Sequence, residues 1–279
     1  MNNETKLIML GTGGGRYTTI TQRRRTAGIR IMQEGVNFHL DPGPGALIYS
    51  INENLNPQKL DAIFVSHCHP DHYTDAEVLI EAMTQGTTSE RGTLVAAKSV
   101  LSGSSTCEPS ISKYHQKAVS KTNEAAVGMK FSVNKVDVSV TETRHTDPDA
   151  VGFRFQSSKF GDFAYTSDTE YFEGIDRYYR NTRLLILCVM RPTGKPWKGH
   201  MTTDDAIKIV EKTQPEQAIL THMGMQMLQK GPQQEAKRIQ EKTEIPTVAA
   251  VDGMQVTLGE NIRFQTPRTQ KQQNLSGFF

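Results

Sequence analysis

Short apolar runs bounded by glycine, proline or polar clusters recur along the chain and alternate with stretches of helical spacing, the pattern of an α/β protein. Residues 7–10, 27–32 and 36–40 read as strands, and Asp41-Pro42-Gly43-Pro44-Gly45 breaks the chain. A helix follows, with Leu47, Ile48, Ile51 and Leu55 on its buried face, and Pro57 ends it. Residues 61–66 form the next strand. Thr74-Asp75-Ala76-Glu77 has the spacing of a capping box, and the helix behind it is expected to bury Val78, Leu79, Ala82 and Met83 and to stop near Gly86. Residues 99–125, rich in Ser, Lys and Thr, read as an exposed loop with a short helix beside the substrate entrance.

Strand signals return at Met129, and strands through Phe155 and Ala164 build a second sheet. Residues 184–187 read as a buried strand. Thr202-Thr203-Asp204-Asp205 supplies cap residues and acids for a helix burying Ala206, Ile207 and Val210. Pro232 opens a last helix at the favoured first position. Residues 248–251 and 255–258 flank Asp252-Gly253, a hairpin signal. The expected organisation is one domain over residues 1–264 and a polar, Gln-rich tail over 265–279 that ends in Phe278-Phe279.

A chain of 279 residues buries a full core. Its formal net charge of +2 argues neither for nor against nucleic acid. Cys68, Cys107 and Cys188 are scattered and odd in number, which suggests a reducing compartment. The N-terminus lacks a basic segment followed by an apolar one, and no apolar run approaches the roughly 20 residues of a membrane helix. The expectation is a soluble, cytoplasmic protein.

The chemistry concentrates in His67-Cys68-His69-Pro70-Asp71-His72, directly after the apolar run 62–65. Three of the chain's eight histidines and a carboxylate stand there. Neutral imidazole and carboxylate are ligands of zinc and related ions, and the loop leaving a strand is where α/β sheets build sites. His145, Asp168 and His222 each follow another strand-like run. Together these are enough donors for two metal ions.

His67-Cys68-His69-Pro70-Asp71-His72 resembles the H-x-H-x-D-H signature of the metallo-β-lactamase superfamily, and His145, Asp168 and His222 match its later ligand motifs in order. Leu10-Gly11-Thr12-Gly13-Gly14-Gly15, Gly199-His200-Met201-Thr202 and Asp252-Gly253-Met254 resemble its ribonuclease Z and cyclic phosphodiesterase branch. The resemblance implies a four-layer αβ/βα sandwich, two facing mixed sheets with helices outside. It implies one ion on His67, His69 and His145, a second on Asp71, His72 and His222, and Asp168 bridging them. Two divalent ions are expected, Zn²⁺ first, with Mn²⁺ and Fe²⁺ also suited. The implied enzyme is a phosphodiesterase acting on RNA or a cyclic, nucleotide-like phosphodiester through a metal-bridging hydroxide. Asp71 orients the nucleophile, and His200 acts as general acid.

The rival reading is an acyl hydrolase of a lactone, thioester or β-lactam that uses the same metals and needs His200 less. A non-catalytic interaction protein on this scaffold is a third, disfavoured because all seven ligand positions are filled. The segment between His145 and Asp168 holds no Gly- and Pro-rich insertion like a tRNA-gripping arm, which favours a smaller diester or an unusual RNA. Arg23, Arg24, Arg25 and Arg191 are candidate substrate contacts. The glycine loop reads as a tight turn or a close approach to substrate, Cys68 as a packing residue, and His39 and His115 as structural or exposed. No membrane partner is expected, and a homodimer is an allowed assembly.

Overall fold

The computed structural model describes residues 4–267 apart from 106 and 158. The expected tail beyond 267, with Phe278-Phe279, lies outside the described residues. The first half runs β1 (Thr5–Met9), α1 (Arg16–Thr21), β2 (Ile29–Gln33), β3 (Val36–Leu40), α2 (Ala46–Asn52), β4 (Ala62–Val65), α3 (Pro70–Tyr73), α4 (Ala76–Met83), β5 (Thr93–Ala97), α5 (Lys98–Ser102), α6 (Lys113–Ala118) and β6 (Lys121–Ala125). The second half runs β7 (Lys130–Val133), β8 (Val136–Glu142), β9 (Val151–Phe155), β10 (Phe163–Tyr165), β11 (Leu184–Cys188), α7 (Thr203–Thr213), β12 (Gln217–Thr221), α8 (Met225–Lys230), α9 (Pro232–Thr243), β13 (Thr247–Ala249), β14 (Met254–Leu258) and β15 (Ile262–Gln265).

These strands form two mixed sheets. The first is ordered β15-β14-β1-β2-β3-β4-β5-β6 and the second β13-β12-β11-β10-β9-β8-β7. The sheets meet through aromatic packing: Phe38 and Phe64 of the first touch Phe155 and Phe153 of the second at ring-centroid distances of 5.3 to 5.8 Å. Ala206, Ile209 and Val210 of α7 and Ile239 of α9 pack on Leu185, Leu187 and Leu220, covering the outer side of the second sheet. The αβ/βα sandwich is therefore the fold. β3, β4 and β5 run parallel, as do β10, β11 and β12, so the carboxyl ends within each set gather at one edge of their sheet.

Several expectations need correction. Asp252-Gly253 is no hairpin turn, because β13 pairs with β12 in the second sheet while β14 pairs with β1 in the first. The Asp252 carboxylate accepts from Thr12 N, Thr12 Oγ1 and Arg25 N at 2.9, 2.6 and 3.0 Å. It ties this crossover to the glycine loop. The hairpin is β14–β15, and β15 runs to Gln265, one residue into the expected tail.

On α2, Ile48 and Ile51 are 57% and 54% exposed, while Ala46 and Ser50 face inward. The Thr74 capping box does not form. Asp75 is the N-cap of α4, but its Oδ2 accepts from Leu47 N at 3.0 Å, and Glu77 Oε1 accepts from Ser112 N at 2.7 Å. The box residues are spent on tertiary contacts that fix α2 and the approach to α6. Val78 of α4 is exposed and Ile80 takes its place in the core. Residues 99–125 are no simple exposed loop either. Val100, Leu101 and Ile111 are buried, and β6 pairs with β5 as a polar edge strand of the kind that resists further pairing. The boxed cap of α7 does form, with Thr202 and Asp205 bonding reciprocally, and Pro232 does open α9.

Candidate metal centre

The expected ligands converge although they come from both sheets. His67 and His69 leave the tip of β4, Asp71 and His72 lie on the one-turn α3, and His145, Asp168 and His222 follow β8, β10 and β12. In one group, His69 Nδ1 lies 3.1 Å from His67 Nε2 and 3.0 Å from His145 Nε2. In a second, His222 Nε2 lies 3.0 Å from His72 Nε2 and 3.3 Å from Asp71 Oδ2. Asp168 stands between them, with Oδ2 3.9 Å from His145 Nε2 and 3.8 Å from His72 Nε2, and Oδ1 3.1 Å from His222 Nδ1. His67, His72, Asp168 and His222 are buried.

Hydrogen bonds assign the tautomers. The Gly199 carbonyl can only accept, so His145 carries its proton on Nδ1 at 2.7 Å and presents a lone pair on Nε2. Ser66 Oγ donates to Asp41 Oδ2 at 2.7 Å and accepts from His67 Nδ1 at 3.0 Å, so His67 also presents Nε2. Two such lone pairs face the same Nδ1 of His69. Three imidazole nitrogens converge on one point, and the nitrogen and oxygen set suits Zn²⁺ and neighbouring divalent ions. His222 Nδ1 is buried and finds no hydrogen-bond partner among the described residues, for Asp168 approaches it outside hydrogen-bond geometry. The residues present fit a metal centre.

Electrostatics agree. Burial, reinforced by the neighbouring imidazoles, holds His67 well below its ordinary pKa, which keeps it a neutral donor. Burial disfavours charge on Asp168 and Asp71 too, but the surrounding histidines outweigh it and hold both carboxyls below the usual range. For His72 burial is outweighed by Asp41 and Asp71, and its pKa rises to about 10. Metal uptake at His72 would therefore displace a proton, and such binding would weaken as pH falls.

Asp41 went unrecognised in the sequence, hidden in a run of turn residues. Its Oδ2 accepts from His72 Nδ1, Ser66 Oγ and Tyr165 OH at 2.8, 2.7 and 2.8 Å. It thus orients His72 directly and His67 through Ser66. Its position at the tip of β3, like that of the other acids at strand tips, was the available signal. Asp41, Ser167 and His222 all adopt left-handed φ (51°, 55° and 57°), backbone strain gathered at the centre. Asp41→Asn is expected to weaken metal binding roughly 10- to 100-fold, the usual effect of removing such an orienting carboxylate. Competition with a chromogenic chelator measures it, and unchanged affinity would exclude the orienting role.

The glycine loop serves the centre. Gly15 N donates to Asp71 Oδ2 at 2.8 Å, and a Cβ on Gly14 would lie 2.2 Å from the His222 ring. The loop is therefore a close approach of backbone to the expected ligands. His200 also joins the cluster, its Nδ1 3.5 Å from Asp168 Oδ2 and its ring 4.8 Å from that of His145. Burial, set against the Asp168 charge, lowers its pKa to about 4.

Arg24 Nη1 lies 3.4 Å from Thr12 Oγ1, and Arg25 stacks on Tyr49 at 4.2 Å with Glu53 3.7 Å away. Arg191 lies on the loop leading to His200, over Trp197. Cys68 is packed in the core with its amide on Asp147, His39 is buried and neutral, its pKa lowered to about 3 by burial, and His115 bonds to Ser112 and Glu81 away from the centre.

The family model of a β-lactamase superfamily domain matches residues 36–223. An uncharacterized protein of Methanocaldococcus jannaschii is 39% identical over 255 residues, covering 91% of this chain and 95% of that one. Ribonuclease Z of Thermococcus kodakarensis is 33% identical over 78 residues, 28% of this chain and 24% of its own length. Among solved structures, the metallo-β-lactamase fold protein YhfI from Bacillus subtilis matches with a TM-score of 0.75 at 18% identity, over 91% of this chain and 99% of that one. A diphosphatase of the PhnP family matches at 0.65 and 21%, over 90% and 96%. The short form of human tRNase Z matches at 0.66 and 16%, over 91% and 99%. At these identities the solved structures speak for the fold alone.

Proposed function

As a member of the β-lactamase superfamily this chain is a metal-dependent hydrolase, and we propose that it is a binuclear phosphodiesterase acting on RNA or a nucleotide-like phosphodiester. The observation that carries this reading is His200, a sixth imidazole beside the five of the two ligand groups, 3.5 Å from the Asp168 carboxylate. A phosphodiester expels an alkoxide that needs a proton, whereas acyl substrates expel better leaving groups. The ribonuclease Z, tRNase Z and diphosphatase neighbours carry names from RNA or phosphate chemistry, which supports the same direction.

Two divalent ions held by the two groups would bring a water's pKa toward neutrality and offset charge on the attacking and leaving oxygens. His67, His69 and His145 would hold one, and Asp71, His72 and His222 the other, with Asp168 shared. Zn²⁺ suits this set first, then Mn²⁺ or Fe²⁺. Asp71, fixed by Gly15 N, orients the attacking water. His200 delivers its proton to the leaving oxygen. A bound phosphodiester anion opposes the burial that lowers its pKa, so substrate itself promotes the protonated form. Between Asp168 and His145 lie β9, β10 and their connection, with no projecting arm among the described residues, and this supports a small diester over a whole tRNA.

Metal-reconstituted protein should be assayed on bis-p-nitrophenyl phosphate, cyclic nucleotides, a precursor tRNA, a lactone and a thioester. The expected outcome is turnover of phosphodiesters ahead of both acyl substrates. Robust lactone or thioester hydrolysis without any diester cleavage would transfer the reading to an acyl hydrolase.

A further inference from the structure

The chain holds a single tryptophan, Trp197, and 59% of its surface is exposed. Isolated exposed apolar residues are ordinary on protein surfaces. Trp197 differs in being on a loop held at both ends. Thr193 Oγ1 and Gly194 N donate to Asp204 at the start of α7, and Thr193 N donates to Glu235 Oε2 at 2.8 Å. At the other end Gly199 N donates to Glu170 Oε2 at 2.9 Å, while the Gly199 carbonyl receives the Nδ1 proton of His145. His200 N donates to Trp197 O at 3.0 Å, so the backbone from Trp197 to His200 closes one turn. A shift of this loop would move the tryptophan, the proton donor and a candidate metal ligand together.

The surroundings of the indole are cationic. The Arg191 guanidinium lies 5.4 Å from its ring centroid and is itself fixed by donation to Lys195 O at 3.0 Å. Lys195 and Lys198, two residues before Trp197 and one after it in the chain, are exposed. An exposed aromatic ring on an anchored loop, backed by a cation and with exposed lysines near it in sequence, is a combination that takes a base by stacking and its phosphates by charge. The turn sets that ring three residues before the group that protonates the leaving oxygen.

We infer that Trp197 is a stacking platform for a nucleobase attached to the scissile phosphodiester. This inference rests on the phosphodiesterase reading and narrows its substrate to a diester that carries a base next to the cleaved bond. Arg191 then supports the indole instead of gripping the scissile phosphate.

The lone tryptophan makes the test direct. Adenosine 5′-monophosphate should change Trp197 fluorescence saturably in the metal-loaded protein, and ribose 5-phosphate should leave it unaltered. The preference in kcat/KM for a dinucleotide over its abasic counterpart should fall roughly 5- to 150-fold in Trp197→Ala, the span of base–aromatic stacking, and persist in Trp197→Phe. An equal response to both monophosphates, or an undiminished base preference in Trp197→Ala, would overturn the platform while leaving the phosphodiesterase reading standing. Absence of turnover on every diester would instead defeat that reading, and the fluorescence comparison would still decide whether Trp197 meets a base.

Discussion

Asp168→Ala is expected to strip metal from the centre and to abolish hydrolysis of activated and unactivated substrates alike. Its carboxylate is the group common to both halves, within 3.8 to 3.9 Å of His72 Nε2 and His145 Nε2 and 3.1 Å from His222 Nδ1. Alanine removes that shared donor and leaves several buried imidazoles facing one another without the negative charge that balances them. A catalytic metal brings the pKa of its water far down toward neutrality, so losing the centre should cost roughly 10⁴-fold or more in kcat. Elemental analysis should report fewer ions per chain, and Tm should fall because metal binding contributes to folding. A variant with full metal content and near-normal rate would remove Asp168 from the bridging position.

His200→Ala should behave in the opposite way. It is expected to keep its metal and its Tm and yet lose roughly 10²- to 10⁴-fold in rate on a ribose-leaving diester, the range for a positioned acid. The loss should shrink on bis-p-nitrophenyl phosphate, because p-nitrophenolate departs without a proton. That dependence on the leaving group separates proton delivery from general disturbance of the pocket. Equal losses on both substrates would refute the acid role. Loss of an ion would make His200 a ligand, which its 3.5 Å approach to Asp168 makes a meaningful outcome.

The convergence of the seven expected ligands was legible because each stands directly after a strand-like apolar run, and parallel strands deliver their loops to a common edge. The groups that orient them were not. Asp41 lies in Asp-Pro-Gly-Pro-Gly, where local chemistry favours a turn, and Tyr165 reads as one more strand residue. Their roles depend on bonds across 31 and 124 positions of sequence, which local patterns do not contain. The same limit explains Asp252-Gly253. The dipeptide has hairpin chemistry, yet its carboxylate bonds to Thr12, 240 positions away, and the chain changes sheets there. On α2 the apolar spacing pointed Ile48 and Ile51 inward, but the helix is anchored by Asp75 and rests on Ala46 and Ser50. Where one tertiary bond competes with a weak local preference, the tertiary bond decides.

The most direct test is to titrate divalent metal into chelator-treated protein while following hydrolysis of bis-p-nitrophenyl phosphate, a substrate that does not need His200. The expected result is no activity in the apoprotein and a rise that saturates at about two equivalents of Zn²⁺, Mn²⁺ or Fe²⁺ per chain. Saturation at one equivalent or less, or full activity with chelator present, would contradict it.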